Sequence, residues 1–515
     1  MPLFLGIDAG TGSVRASVVD GGGHILGSAS APYNTYFPAN GWAEQDCGEW
    51  ESALQKAVPE SLRAAGIRAE TLSGITCDAT TNTLVFLDAW DKPVRRPFLW
   101  MDVRAAEEAS YLDTFRGKYE ALDVYKPSFR ADTMIPKTMW FKFHEPANWE
   151  KTATVFELED WLNWRLTGEK TLSIPIASYR WNYGMETDGL PVKLYEAAGI
   201  SDVMEKIPKA RLHLGAFIGE VTEEAAKRYG LSEGIPVYEG PADCNAGMFG
   251  AGCVRPGLLA LIGGTSSVIH GMTAESFHES GVNGVYPDCM IPGLGLAEGG
   301  QTSSGAVLTW FRNTLFPAEW VEECKARSID AYELITLKAA AAPIGSGGVV
   351  LLSDFQGNRA PYADSRARGV FAGLSLATDA SHLARAIFEG VAFGACHCVQ
   401  AMQVAGLKFD RILACGGICN SSFWLQLHAD IIGLPIVTAE ETQNCSAIGD
   451  AMIAAVGAGF YADYEEAARS MVRTGRVYEP DSAIHEQYRF FMERYKELWP
   501  AVRPTVHALV RHENE

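Results

Sequence analysis

An α/β fold built from two large, internally related units is what this sequence predicts, and three observations carry the prediction. Strand-like and helix-like segments alternate along much of the chain. A strand–turn–strand unit at residues 4–20 returns near residue 258 in the same design. At 515 residues the chain is too long for one ordinary core, so two large domains are expected.

The first unit is FLGIDAGTGSVRASVVD, residues 4–20. An apolar run carries an acid, Asp8, and a small-residue turn, Ala9-Gly10-Thr11-Gly12-Ser13, leads into a second alternating run. Two such runs around a Gly-rich turn read as a hairpin. Successive turn N–H groups can form an anion-binding concavity, and an acid beside it suits a hydrated Mg²⁺ facing phosphate oxygens. An ordinary hairpin is the plain alternative for this piece alone. Other phosphate motifs fail. There is no G-x-x-x-x-G-K-[ST], and Gly10-Thr11-Gly12 lacks the third glycine of a dinucleotide fingerprint.

Further along, residues 47–65 read as a helix, and Leu72–Cys77 and Leu84–Leu87 as strands. Glu157–Thr167 has helical spacing, with Gly168 as its stop. Ile235–Glu239 reads as a buried strand, followed by Gly-Pro-Ala-Asp and a small-residue helix beginning near Cys244. The pattern then restarts: strand Leu258–Ile262, turn Gly263-Gly264-Thr265-Ser266-Ser267, strand Val268–Met272. The repeat implies two related domains, each presenting one phosphate-facing hairpin to a shared cleft, against the alternative of chance likeness between two hairpins. Strands follow at Val349–Leu352 and Arg411–Cys415, with helices over Ser381–Gln403, Ser421–Ile432 and Ser446–Gly457. The longest of these puts Leu383, Ile387, Gly390, Val391, Gly394, Cys398 and Met402 along one face. The expected division is residues 1–250, 251–475 and a helical tail over 476–515, the halves joined by a compact hinge without a low-complexity linker.

Hydrophobic residues make up 47% and charged residues 21% of the chain, the balance of a globular protein. A net charge of −20 argues against nucleic acid or an acidic membrane as partner, because no basic stripe can release counterions. It leaves phosphate ligands open, since backbone amides, helix N-termini and Mg²⁺ supply local positive field. Met1-Pro2-Leu3-Phe4 enters the first strand without a basic n-region, and no apolar run reaches membrane length, so a cytoplasmic protein is expected. Eleven cysteines without a framework fit reduced thiols, and their spacing lacks the histidine partners of a zinc site.

Four segments together resemble the FGGY carbohydrate kinases, of the actin/hexokinase/Hsp70 ATPase superfamily. Two are the hairpins, similar to that superfamily's phosphate loops. The third is Cys415-Gly416-Gly417-Ile418-Cys419-Asn420-Ser421 with the helix after it, similar to the adenosine motif. The fourth is GVFAGLSLATDASHLARAIFE, residues 369–389, similar to the C-terminal family signature. The resemblance implies two duplicated actin-like (ribonuclease H-like) ATPase domains around a central cleft, with ATP and Mg²⁺ as cofactors. CDATTNTLVFLD (77–88), LWMDVRA (99–105), PGLGLAEGGQTSSGA (292–306) and DFQGNRAPYAD (354–364) resemble the ribulokinase-like branch more than glycerol kinases. That implies a ketopentose substrate, with xylulose, a pentitol or erythritol as alternatives. A departure is Arg180-Trp181, where that branch tends to have a lysine before an aromatic; a planar fork would hold hydroxyls differently from a point charge.

By this resemblance Asp243 is the base that accepts the hydroxyl proton, and with Asp8 it faces the metal; a helix N-cap is the plain alternative for Asp243 as a sequence feature, and the two roles can coexist. Thr11, Gly12 and Ser13 would cradle phosphates, with Arg15 either supporting the loop or simply pointing outward. Gly264, Thr265 and Ser266 would meet the β- and γ-phosphates, Gly305 and Thr309 would line the nucleotide pocket, and Gly417 and Ser421 would meet the adenosine. Ala79, Thr80, Arg180, Asp243 and Glu298 fall at sugar-contact positions, Ala79 for its smallness. Trp42, Glu44, Gln45 and Asp46 resemble a recurring family segment and are as readily structural. A nucleotide-driven switch on the same fold and an inactive sugar sensor are the rival readings, and a homodimer is left open. The first rival needs a protein-binding appendage, and the sequence after 475 is short, charged and amphipathic. The second would be expected to lose Asp8 or Asp243.

Overall fold

The computed structural model describes residues 1–124, 129–185, 189–275 and 282–513. Its frame is two twisted sheets. The first has strands β1 (Leu3–Ala9), β2 (Ser13–Asp20), β3 (Ile25–Pro32), β4 (Leu72–Ala79), β5 (Phe217–Glu220) and β6 (Pro236–Tyr238), in the spatial order β3-β2-β1-β4-β6-β5. The second has β7 (Leu258–Gly263), β8 (Ser267–Thr273), β9 (Asn283–Pro287), β10 (Gly295–Gln301), β11 (Arg411–Cys415), β12 (Ile436–Ala439) and β13 (Thr474–Tyr478), in the order β9-β10-β8-β7-β11-β12-β13.

The two orders are the same design. In each, an antiparallel hairpin (β1–β2, β7–β8) is flanked on one side by a further antiparallel strand (β3, β10). On the other side lie two parallel strands (β4–β6, β11–β12) and an antiparallel edge. Parallel neighbours need crossover connections, which is where the helices sit. The duplication read from the two Gly-rich turns is therefore a duplication of whole sheets, and the chain has the two-domain actin-like α/β fold.

The helices that matter for the site are α1 (Cys47–Ala65), α2 (Leu158–Thr167), α3 (Ile174–Arg180), α4 (Asp243–Gly250), α5 (Gly305–Thr314), α6 (Ala380–Val404), α7 (Ser422–Ile432), α8 (Cys445–Gly457) and α9 (Ser482–Glu513). Local chemistry sets their ends. Asp46 caps α1 by accepting from Gly48 N at 2.8 Å, and Gly66 ends it in the left-handed region. Asp379 caps α6, and Ser421 caps α7 by accepting from Trp424 N at 3.2 Å.

Strand alternation divides the first sheet between two cores. Leu5, Ile7 and Ala9 of β1 join Ile75, Cys77 and Ala79 of β4 against Trp50, Leu54 and Val58 of α1. Phe4, Gly6 and Asp8 face the other way, toward α8. The second sheet has its own core, in which Leu259 and Leu261 pack with α6 and with Tyr488, Met492, Tyr495 and Trp499 of α9. Of the residues expected as a tail, Ser482–Glu513 form one long helix against the second core, while β13 (Thr474–Tyr478) crosses the expected boundary at 475 as the edge strand of the second sheet. All eleven cysteines are unpaired, and among the described residues no helix is long and apolar enough to cross a membrane.

Between the sheets α4 and α8 cross in direct backbone contact. A Cβ on Gly250 would lie 1.7 Å from the Cys445 carbonyl oxygen, and one on Gly449 would lie 2.0 Å from that of Ala246. The small-residue runs DCNAGMFG and CSAIGDAMIAAVG permit this approach. Through it α8, which follows the second sheet's β12, lies on β1 and β4 of the first. We expect Gly449→Val to lose about 3 kcal/mol of stability, the upper end for overpacking, seen as a lower urea midpoint. An unchanged midpoint would mean that the crossing is looser than these distances allow.

Candidate active site

Asp8 ends β1 on the face turned to α8, and β4 brings Asp78 beside it in register. The third acid comes from α8. A Cβ on Gly6 would sit 2.8 Å from the Asp450 Cβ and 2.9 Å from its Oδ2, so only glycine there lets Asp450 lie against β1. Asp78 and Asp450 are fully buried, and none of their four carboxylate oxygens has a hydrogen-bond donor among the described residues. Asp8 lies next to Asp78, but two ionised carboxylates offer each other only acceptors, so their contact is favourable only with a shared proton or cation.

The fourth acid, Asp243, is the first residue of α4; the N-cap position belongs to Ala242. Its Oδ1 accepts from Cys244 N at 2.6 Å, and unlike Asp78 it is partly open to solvent. Ala242 is bridged to Ala79, which docks the start of α4 at the end of β4. The acids influence one another as four charges in a poorly solvated space must. Burial raises Asp8, with Arg15 opposing it, and burial with its acidic neighbours raises Asp78 and Asp450 far more. Burial and then the Asp8 charge push Asp243 up to about 7, while Cys244 and Arg180 pull it down.

The first phosphate-loop candidate lies directly above Asp8. Gly10 N donates to Ser13 O at 3.1 Å, which closes the turn. Its outer side is braced by residues from elsewhere. Gln45 Nε2 donates to Thr11 O at 2.7 Å, Trp100 Nε1 donates to Thr11 Oγ1 at 3.0 Å, and the Tyr33 hydroxyl donates to Gly10 O. Gly12 has open space where a side chain would stand. Arg15 pairs opposite Asp8 across the hairpin, its Nη1 3.8 Å from Asp8 Oδ2, half-exposed. Within the GWAEQD segment, then, Gln45 supports the loop, Asp46 caps α1, and Glu44 receives Arg95 and Arg104, the latter lying over the Trp42 ring.

The second loop candidate meets the nucleotide-side residues. Gly305 N donates to Gly264 O at 3.0 Å and Ala306 N to Thr265 O at 3.1 Å, so the start of α5 is bonded to the turn at 264–266. Gly417 lies against Gly263 and Gly264, which brings the candidate adenosine turn to the same place. Thr309 is spent within this half, its hydroxyl on Gly305 O at 3.2 Å and on the Tyr332 hydroxyl at 3.0 Å. Ser421 is spent as the cap of α7. Cys415 Sγ reaches Gly247 O at 3.8 Å, so α4 links this second cluster back to Asp243.

On the other side of Asp243, Arg180 from α3 and Glu298 from β10 form a buried two-point ion pair. Nη1 is 3.1 Å from Oε2 and Nη2 is 3.3 Å from Oε1. The Tyr286 hydroxyl donates to Glu298 Oε2 at 3.0 Å, and the Arg180 guanidinium lies over the Tyr179 ring, 3.4 Å from its centre. Arg180 with Arg130 holds Glu298 far below the usual carboxylate range. Thr80 is nearly covered, its hydroxyl on that of Thr83 at 2.9 Å, and Ala79 is fully covered, so neither presents surface to the cleft in this structure. Glu157 ties these parts together, accepting from Thr83 N at 3.0 Å and from Trp181 Nε1 at 2.7 Å.

Asp78 and Asp450 were not among the candidates read from the sequence. For Asp78 a signal existed, since it stands beside Ala79 at the end of a predicted strand. Asp450 offered only one acid inside an otherwise apolar helix.

With this geometry in view, residues 3–250 match the N-terminal domain model of the FGGY family of carbohydrate kinases, and residues 259–458 match its C-terminal domain model. The FGGY carbohydrate kinase domain-containing protein of Xenopus laevis is 30% identical over 96% of this chain and 95% of its own. The ribulokinase of Geobacillus thermodenitrificans is 29% identical over 96% and 93% respectively. Among solved structures, the xylulose kinase from Rhodospirillum rubrum superposes with a TM-score of 0.86 at 28% identity, covering 98% of this chain and all (100%) of that one.

The buried pair gives a stability prediction. Glu298→Gln strands the Arg180 guanidinium and should cost about 3–5 kcal/mol in chemical denaturation. Because the folded carboxyl titrates below its unfolded value of about 4.3, the wild-type advantage should be full above about pH 5 and shrink as the pH falls further. An advantage that grows on acidification would contradict the pairing.

Proposed function

Because this chain belongs to the FGGY family of carbohydrate kinases, we propose that it transfers the γ-phosphate of ATP to a hydroxyl of a small sugar, a ketopentose of the ribulose type. The observation that carries the reading is the position of Asp243. Like Asp8 it is partly open, it starts a helix docked at the end of β4, and it feels the charges of both Asp8 and Arg180, which puts it within reach of the first loop's acids and of the Arg180–Glu298 pair. A base for a sugar hydroxyl is needed at such a junction, with phosphate on one side and polyol on the other.

Asp78 and Asp450, buried without donors beside Asp8, fit a hydrated divalent cation, and Asp8 and Asp243 are the residues to hold it. Mg²⁺ bound there would neutralise charge on the transferred phosphoryl group. The chain's own residues do the rest. Thr11, Gly12 and Ser13 offer backbone amides and hydroxyls to phosphate oxygens, and Gly264, Thr265 and Ser266 do so from the second half. Gly305 and Thr309, with Gly417 and Ser421, form the nucleotide side. Asp243 accepts the hydroxyl proton as the oxygen attacks. Arg180 and Glu298, pre-aligned by Tyr179 and Tyr286 and as covered as Thr80 in this structure, form a fixed polar wall that would meet the sugar once the pocket admits it. Ala79 and Thr80 act by shaping the floor of that pocket, since both are covered.

Ribulose and xylulose are epimeric ketopentoses, and relatives named for each lie at 29% and 28% identity. The ribulose reading rests on the segments around residues 77–88 and 292–306; xylulose, a pentitol and erythritol are the alternatives. An ADP-release screen over ribulose, xylulose, ribitol, arabinitol, erythritol and glycerol should show the highest kcat/KM with ribulose. A clear glycerol preference would remove the ketopentose reading, and ADP release indifferent to all sugars would favour the nucleotide-switch reading. Asp243→Asn should keep nucleotide binding and lose about 10²–10⁴ in turnover on the best sugar.

A further inference from the structure

A second group of acids lies outside the cleft, where β6 ends and α2 begins. Glu159, Asp160 and Glu239 each offer a carboxylate oxygen within 4.8 Å of the others, and all three are fully buried. No cationic side chain is among the hydrogen-bond or ion-pair partners of these carboxylates among the described residues. Their donors are neutral: Asn163 Nδ2 to Glu159 and Glu239, Gly240 N to Glu159 at 3.2 Å, and Ser173 N and Glu157 N to Asp160 at 2.8 and 3.1 Å.

These donors leave oxygens over. Glu159 Oε2, Glu239 Oε2, Asn163 Oδ1 and Thr171 Oγ1 have no partner. The Asn163 amide touches two of the carboxylates through its nitrogen, and the Thr171 and Ser173 hydroxyls and the Glu159 carboxyl lie within interaction range of Glu239. The three carboxylates, with the Thr171 hydroxyl beside Glu239, form a buried all-oxygen donor set. Burial drives the three acids toward the neutral form, Glu239 to about 8, so protons or a cation must neutralise the group.

We propose that Glu159, Asp160 and Glu239, with Asn163 and Thr171, form a structural site for a hard divalent cation, separate from the cleft. Oxygen-only ligands select hard cations, and a fully buried set of three carboxylates that bind directly suits Ca²⁺ or Mn²⁺ better than Mg²⁺, which sheds its waters reluctantly. The site's effect is positional. Glu239 lies four residues before Asp243 in the chain, and Ser173, held by Asp160, caps α3, whose last residue is Arg180. Ser173 Oγ also donates to Gly240 O at 3.2 Å. A bound ion would therefore lock together the two segments that deliver Asp243 and Arg180.

The test uses the full chain, purified without nucleotide. Its metal content is measured, and its thermal unfolding is followed after chelation and on adding Ca²⁺, Mn²⁺ or Mg²⁺, for wild type, Asp8→Asn, Glu159→Gln and Glu239→Gln. Wild type and Asp8→Asn should retain roughly one ion per chain and gain roughly 5 °C in Tm with Ca²⁺ or Mn²⁺, and both glutamine variants should lose that gain. A wild-type Tm indifferent to every ion, with no retained metal, overturns the proposal in favour of a proton shared among the acids. So does a gain that survives Glu239→Gln and disappears in Asp8→Asn. If the glutamine variants do not fold, the metal content of Asp8→Asn decides: about one ion supports the site and none overturns it.

Discussion

Four carboxylates brought together, two of them wholly out of reach of water, are the constraint from which the rest of this structure follows. Asp8 and Asp78 arrive on adjacent parallel strands, Asp450 on a helix laid across Gly6, and Asp243 at the start of a helix docked on the same strand end. In such surroundings like charges raise one another's proton affinity, and removing the groups from water adds to it. Left alone the arrangement costs stability. The cation and polyphosphate proposed for this cluster would offset that cost on binding. Arg15, half-exposed and 3.8 Å from Asp8, is the only ion-pair partner among the described residues for any of the four.

The duplication of the sheets makes the asymmetry of charge informative. When the turn Gly10-Thr11 is laid on Gly264-Thr265, Asp8 falls on Ile262, so the second half repeats the backbone and omits the acid. One hairpin thus offers amides beside a carboxylate, and the other offers amides beside an apolar wall. A chain of phosphates gripped from both sides would meet the metal-bearing face once only. The opposite polarity, a guanidinium fixed by a carboxylate, is confined to the far side of Asp243, where Arg180 and Glu298 close on each other from different halves of the chain.

Much of this was legible before any coordinates. Helix α1 covers the predicted residues, Leu258–Ile262 lies within a strand of the second sheet, and α6 differs from its predicted span by one residue at each end. These elements are set by local periodicity and by caps such as Asp46 and Asp379, which a linear reading detects. Asp450 was not legible, because its role depends on a crossing between α8 and β1 that brings together residues 444 positions apart in number. Asp243 was expected where it is, yet the choice between cap and free carboxylate needed the geometry: Ala242 takes the cap position. For Ala79 and Thr80, expected at sugar-contact positions, the structure adds depth of burial, which periodicity does not report for a strand covered on both faces.

The position of α8 on the first sheet also bears on biogenesis. The inner face of β1 and β4 is completed by residues 445–457, which leave the ribosome only after most of the second sheet has been made. At about 5–20 residues per second, synthesis leaves that face, which carries Gly6, Asp8, Gly74 and Asp78, without its covering helix on the nascent chain for some tens of seconds. The first sheet is therefore finished only when α8 arrives, and a chain cut before residue 445 would lack the helix that brings Asp450 to Asp8 and Asp78.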